Sequence, residues 1–207
     1  MFYDKIMIGG IIMRKSERPF MVEFSGTPEA GKTTSILTVS KMLENAGYTT
    51  EILRESAESL PTEIPKGTFH ANMWMHFITQ AGILKATYSK ADVVLIDRGI
   101  IDSQFYAWKY FNEGGCIKSE FDKFLALKLD DIEPNLFLGI VVLPNTALER
   151  RGGAGRLVNE EYVKRYNDFF LTYFTELDIT KELISTDELD KSQMSEIIFN
   201  TITKFLP

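Results

Sequence analysis

Apolar residues along this chain fall into short runs separated by longer stretches with a different rhythm. Five runs are short, and rich enough in Val, Ile, Leu and Phe, to be buried strands: Phe20–Phe24, Thr49–Leu53, Val93–Asp97, Phe137–Leu143 and Leu183–Ser185. Between them the apolar period lengthens to three and four residues, as on one face of a helix. Ile36, Val39, Leu43 and Ala46 follow it, with Gly47 as the stop signal. So do Phe69, Met73, Trp74, Phe77, Ile78 and Leu84, and then Phe121, Phe124 and Leu125. Tyr162, Tyr166, Phe169, Phe170, Tyr173, Phe174 and Leu177 trace a long aromatic face behind Asn159, an N-cap residue. A last helix opens at Asp190, with Gln193 three residues on as in a capping box, and turns Met194, Ile197, Ile198, Ile202 and Phe205 inward.

Strands alternating with helices predict an α/β three-layer sandwich: a five-stranded parallel sheet covered by helices on both faces. No repeat or Pro/Gly/Ser-rich linker divides the chain, so residues 19–207 are read as one domain and 1–18 as an N-terminal extension. In that extension Ile6 to Met13 is an apolar run too short to span a membrane and a poor signal peptide. Gly9-Gly10 inside it suits a small hairpin, and a disordered leader is the other reading. The aromatic face from Tyr162 suggests a base-stacking surface, but packing against the sheet is the better expectation.

Ligands of such sheets bind beyond the C-terminal ends of the strands, and four such ends carry chemistry. The first is Gly26 to Thr33, in "SGTPEAGKTT", which fits the P-loop pattern between a strand and a helix. Glycines let backbone N–H groups surround phosphate oxygens, and the helix N-terminus adds unpaired donors. The expected nucleotide-binding residues are therefore Gly26, Glu29, Ala30, Gly31, Lys32, Thr33 and Thr34, with Lys32 on the β/γ-phosphates and Thr33 on Mg²⁺. The second end carries Arg54-Glu55-Ser56, where Glu55 is placed to take a proton or hold a metal water and Arg54 to bind phosphate. The third carries Asp97-Arg98: Asp97 suits the metal's waters, and Arg98 stands where an ATPase has a water-activating Glu. That exchange favours transfer to a bound acceptor over hydrolysis. The fourth leads to "ERRGGAGR", where Arg150, Arg151 and Arg156 around flexible glycines predict a phosphate-closing lid at about 149–157. Arg150 is expected at the nucleotide, Arg151 and Arg156 at the transferring group.

Composition narrows the partners. The 207 residues are 44% hydrophobic and carry a net charge of −6, which disfavours a nucleic-acid or anionic-membrane surface. A single cysteine, Cys116, precludes an internal disulfide and fits a cytoplasmic protein. His70 and His76 have neither the spacing nor the neighbours of a metal site.

Taken together, "GTPEAGKTT", "RES", "DRG" and "ERRGGAGR" resemble the P-loop nucleoside and nucleotide kinases, in particular the thymidylate-kinase and deoxynucleoside-kinase group. The resemblance runs from residue 20 to about 175. It implies ATP and Mg²⁺ as donor, a small acceptor bearing a hydroxyl or phosphate, such as a nucleoside or nucleoside monophosphate, and a possible homodimer. Lys32, Glu55, Asp97, Arg98, Arg151 and Arg156 become the expected catalytic residues, with Thr33 and Asp97 at the metal. Two positions depart from thymidylate kinases: Ser56 stands for the Pro of Arg-Glu-Pro, and Gly99 for an aromatic after Asp-Arg. The competing readings are a P-loop ATPase and a nucleotide-binding regulatory protein. The guanine-reading Asn-Lys-x-Asp of GTPases is absent.

Overall fold

The computed structural model describes residues 5–8, 11–14, 18–55, 59–129, 132–151 and 159–207. Near the N-terminus β1 (Lys5–Ile8) and β2 (Ile11–Arg14) pair antiparallel in a sheet of their own, with Ile8 opposite Ile11. Gly9 and Gly10 lie outside the described residues.

The main chain then runs β3 (Phe20–Gly26), α1 (Lys32–Asn45), β4 (Thr50–Leu53), α2 (Phe69–Ala86), β5 (Val93–Asp97), α3 (Ile100–Asn112) and α4 (Lys118–Ala126). It continues through β6 (Leu136–Val141), α5 (Pro144–Arg150), α6 (Glu160–Glu176), β7 (Lys181–Ser185) and α7 (Lys191–Phe205). The five strands β4-β5-β3-β6-β7, in that order, form one all-parallel sheet. The expected α/β architecture is present. After β3 the chain visits one edge through β4 and β5, then crosses to β6 and β7 on the other. The connections therefore diverge around the C-terminal end of β3, where open parallel sheets bind ligands.

Strand alternation assigns the two cores. On β3, Val22 and Phe24 face one side and pack with Ile36, Val39 and Leu43 of α1 and Ile198 and Ile202 of α7. Met21 faces the other side, where Ile83, Phe105, Phe137, Tyr166 and Phe170 meet. Tyr166 and Phe170 are fully buried, and each lies 5.3 Å, ring to ring, from Phe105. The aromatic face of α6 is thus sheet packing.

Caps close the helices as their sequences predict. Asn159 Oδ1 accepts from the Tyr162 N–H, and Asp190 and Gln193 form a reciprocal capping box. The segment after β6 differs from expectation. Pro144, pre-set for a first helical turn, opens α5, so Arg150 sits in that helix's last turn and Arg151 is its C-cap. The start of the expected lid is therefore helical. Residues 152–158, with Arg156, lie outside the described residues.

Candidate active site

Gly26 ends β3 with a φ of 126°, and a Cβ there would lie 2.0 Å from the Ile140 carbonyl oxygen of β6, so only glycine lets the loop turn so close to the neighbouring strand. Glu29 (φ 62°) and Gly31 (φ 90°) complete the left-handed turns that wrap the loop over the start of α1. Lys32, buried beneath it, donates to the Gly26 and Thr27 carbonyl oxygens at 2.9 and 2.7 Å. Burial, and next the nearby Arg98 charge, push its ammonium down to about 7.

At the end of β5, Thr33 Oγ1 donates to Asp97 Oδ2 at 2.6 Å. The other carboxylate oxygen, Asp97 Oδ1, is buried with no hydrogen-bond partner in the structure. An unsatisfied buried carboxylate oxygen beside a P-loop hydroxyl is the donor set of a hard divalent cation. The pair Thr33 and Asp97 therefore fits Mg²⁺.

Arg98 has the left-handed backbone of a strained residue, φ 60°. Its N–H is fixed to the Phe24 carbonyl at 3.0 Å. Its guanidinium is shared: Nε lies 3.2 Å from Glu55 Oε1, and Nη1 lies 3.1 Å from Asp102 Oδ1. Asp102 also accepts from the Ser25 hydroxyl. Burial raises the Glu55 carboxyl above its ordinary value, with Arg98 pulling the other way.

Two clefts open on this centre. One, about 330 Å³, is lined by Gly31, Lys32, Thr33, Thr34 and Asp97 together with Glu55 and Arg98. The other, about 240 Å³, is lined by Asn72, Met75, Thr79, Asp102, Ser103 and Tyr106 among others, and again by Glu55 and Arg98. Glu55 and Arg98 belong to both clefts, and Arg54 lines neither. In the second cleft Asn72 Nδ2 donates to the Ser103 carbonyl at 3.0 Å, which fixes the plane of its amide in the wall.

Solved structures that resemble this fold include those of deoxyadenosine kinase from M. mycoides. The form with the products dCMP and a flexible dCDP matches with a TM-score of 0.69 at 20% identity, covering 89% of this chain and 99% of that one. The forms with dCTP and with dATP match with TM-scores of 0.67 at 21% identity, covering 89% and 88% of this chain and 99% of theirs. The chain shares the fold of these structures. No protein-family model and no curated protein matches the sequence.

Within this fold the residues expected from sequence separate into groups. Lys32, Thr33, Asp97, Arg98 and Glu55 converge on one cleft. Arg151 stands at its rim, Nη1 4.0 Å from Glu29 Oε1. Arg150 turns to the loop after β7: Nη1 donates to Thr186 Oγ1 at 2.8 Å, and Nη2 reaches the Thr186 carbonyl. Thr186 Oγ1 in turn reaches the Ala30 carbonyl at 3.4 Å, so Arg150 braces the P-loop from behind.

Sequence reasoning missed Asp102, Asn72, Ser25 and Glu23. Glu23 and Ser25 are polar residues in an otherwise apolar central strand, the one signal that marked them. Asp102, four residues after Arg98 in a helix, was legible as an (i, i+4) partner. Of the histidines, His76 is buried: its Nδ1 lies 2.7 Å from Ser103 Oγ and its ring 4.2 Å from that of Phe124. Among the described residues no three His, Cys, Asp or Glu side chains group as a metal site.

Proposed function

We propose that this protein transfers the γ-phosphoryl group of ATP to a hydroxyl of a small nucleoside. The observation that carries this reading is the pair of clefts meeting at Glu55 and Arg98, one built for phosphates and the other walled by hydrogen-bonding side chains. Of the described residues lining the second cleft, the cations are Arg98 and Lys66; Arg98 is already taken up by Glu55 and Asp102, which leaves Lys66 against the two negative charges of a monophosphate. A monophosphate acceptor brings two negative charges and needs free cations. A hydroxyl acceptor needs a base, and Glu55 is one.

The roles follow from position. Asn72 orients the nucleoside base through its fixed amide. Glu55 receives the hydroxyl proton as the acceptor oxygen bonds to the γ-phosphorus, and the bond from that phosphorus to the bridging oxygen breaks to leave ADP. Lys32 and the loop N–H groups hold the β- and γ-phosphates. Arg98 keeps Glu55 aimed and faces the oxygens on which charge redistributes. Thr33 and Asp97 would hold Mg²⁺, which would supply charge neutralisation at the phosphates. Arg151 and Arg156 remain proposed phosphate contacts, whereas Arg150, expected at the nucleotide, acts on it through the P-loop that it braces.

The net charge of −6 supports an enzyme without nucleic-acid partners, and the single cysteine fits a cytoplasmic one. No helix among the described residues is long and apolar enough to cross a membrane. The exposed side chains of Trp74, Phe77 and Ile78 on the outer face of α2 offer apolar surface for a homodimer contact.

The test is ADP release against a panel of nucleosides and nucleoside monophosphates. A nucleoside should stimulate release and emerge phosphorylated on a hydroxyl. Glu55→Gln should lower kcat about 10²–10⁴-fold with little change in ATP affinity. The acid limb of the pH–rate profile should lie above the ordinary carboxylate range, because the raised Glu55 must lose its proton to serve as base, and it should vanish in the variant. Release that ignores the acceptor would make the protein an ATPase. A preference for monophosphates would overturn the hydroxyl assignment.

A further inference from the structure

The central strand carries a carboxyl group that phosphoryl transfer does not touch. Glu23 lies mid-sheet, fully buried, between Ile96 of β5 and Phe137 of β6. A carboxyl group in such a place is costly unless it is hydrogen-bonded. Its partners are backbone amides: Oε1 accepts from the Asp102 N–H at 2.8 Å and Oε2 from the Ile101 N–H at 3.2 Å. These are among the first-turn donors of α3 that a helix leaves unpaired. The N-cap of α3 is Gly99, which has no side chain to satisfy them. Glu23 therefore does from β3 what a capping side chain does locally.

The same carboxyl group explains the glycine. A Cβ on residue 99 would lie 2.4 Å from Glu23 Oε2 and 2.6 Å from its carboxyl carbon. Glu23 and Gly99 fit each other as a matched pair. The turn they fix is flanked by Arg98, with its left-handed backbone, and by Asp102, which holds one end of the Arg98 guanidinium. The backbone from 98 to 102 thus sets where that guanidinium stands relative to Glu55.

We propose that Glu23, matched to Gly99, is a positioning residue that clamps the first turn of α3 and so holds Arg98 between Asp102 and Glu55. Its effect on turnover rests on the kinase reading above; the clamp itself does not.

Two readouts test it: kinetics, and hydrogen exchange at the Arg98 Nε–H, which the Glu55 ion pair shelters. Glu23→Gln keeps the volume but sets an amide NH₂ against one backbone N–H, where the carboxyl group, ionised or neutral, keeps an acceptor lone pair on each oxygen. It should lower kcat roughly tenfold or more, the scale of losing a hydrogen bond to a charged or buried group, with KM for ATP unchanged. It should also speed Arg98 Nε–H exchange by a similar factor. Gly99→Ala should do the same. In a Glu23→Ala background the added methyl finds room, so Gly99→Ala should cost much less there than alone.

An additive cycle overturns the matched pair. Wild-type kcat and Arg98 exchange in Glu23→Gln overturn the clamp. If Glu23→Ala does not fold, Glu23→Asp replaces it, since the shorter side chain withdraws from residue 99. It should then blunt the cost of Gly99→Ala, and an undiminished cost counts against the pair. Altered Arg98 exchange in a protein that shows no acceptor-dependent turnover would leave the clamp standing and remove the kinase reading.

Discussion

Lys32 shows how a single side chain is prepared for a ligand by its surroundings. Its ammonium is buried against two carbonyl oxygens of its own loop and close to Arg98. Two cations so near each other in a poorly solvated site repel, and the acidic groups around them, Asp102, Asp97 and Glu55, offset that only in part. On the proposed kinase reading, triphosphate oxygens arriving between them would relieve that repulsion, and the lysine would then stabilise charge that shifts during transfer. Lys32→Ala should therefore lower turnover roughly 10²–10³-fold, the cost of losing one preorganised electrostatic donor. Single-turnover kinetics with saturating ATP would show it. Full activity in that variant would take the loop out of the chemistry.

At the scale of elements, the loop is braced through its neighbours. Thr27 Oγ1 donates to Asn167 Oδ1 of α6 at 2.6 Å, Asn167 Nδ2 donates to the Val142 carbonyl at 2.8 Å, and the Val142 N–H returns to Thr27 Oγ1 at 3.4 Å. This closed ring ties the P-loop to the end of β6 and to the helix that follows residues 152–158. Asn167→Ala opens it and leaves the Thr27 hydroxyl and the Val142 carbonyl short of a partner. ATP affinity should fall about tenfold and the melting temperature by a few degrees, on the scale of one to two lost hydrogen bonds. Titration calorimetry and thermal melts would measure both; unchanged affinity would show that the ring serves α6 alone. None of this could be read from the sequence, because Asn167 is polar on a helix whose other signals concern packing. By contrast, the five strands and the chemistry at their ends were legible. Hydrophobic runs, caps and the Gly-Lys-Thr spacing are local signals, and Thr33, Asp97, Glu55 and Arg98 each follow a strand or turn that the pattern marks. Strand order, the Glu23–Gly99 match and the turn of Arg150 towards Thr186 depend on contacts between distant segments. Local pattern carries no record of those.

For the whole molecule, burying ionisable groups makes stability depend on pH, and two of them pull in opposite directions. Burial lowers His76 to about 4, below its ordinary value of 6.5, so the folded state binds fewer protons than the unfolded chain between those limits. Its contribution is complete above pH 6.5 and is lost as pH falls through about 4. Burial raises Glu23 to about 8 from an ordinary 4.5, against the pull of the Asp102 and Ile101 amides. The folded state then binds more protons across that window, so its contribution is complete below 4.5 and is lost as pH rises through about 8. Between 4.5 and 6.5 the two slopes oppose each other, and the parent protein alone cannot reveal either. The difference between variant and parent isolates each group, since Lys32 and Glu55 titrate in both. Relative to the parent, Glu23→Gln should gain stability with rising pH across the window from 4.5 to 8, by between about 1 and 2 kcal/mol per pH unit. His76→Asn should gain relative stability as pH falls from 6.5 towards 4. Urea unfolding at half-unit steps from pH 4 to 9 gives both curves. A Glu23→Gln difference that stays flat from 4.5 to 8 would mean the amides of α3 hold Glu23 ionised, and the slope at higher pH would then belong to other groups.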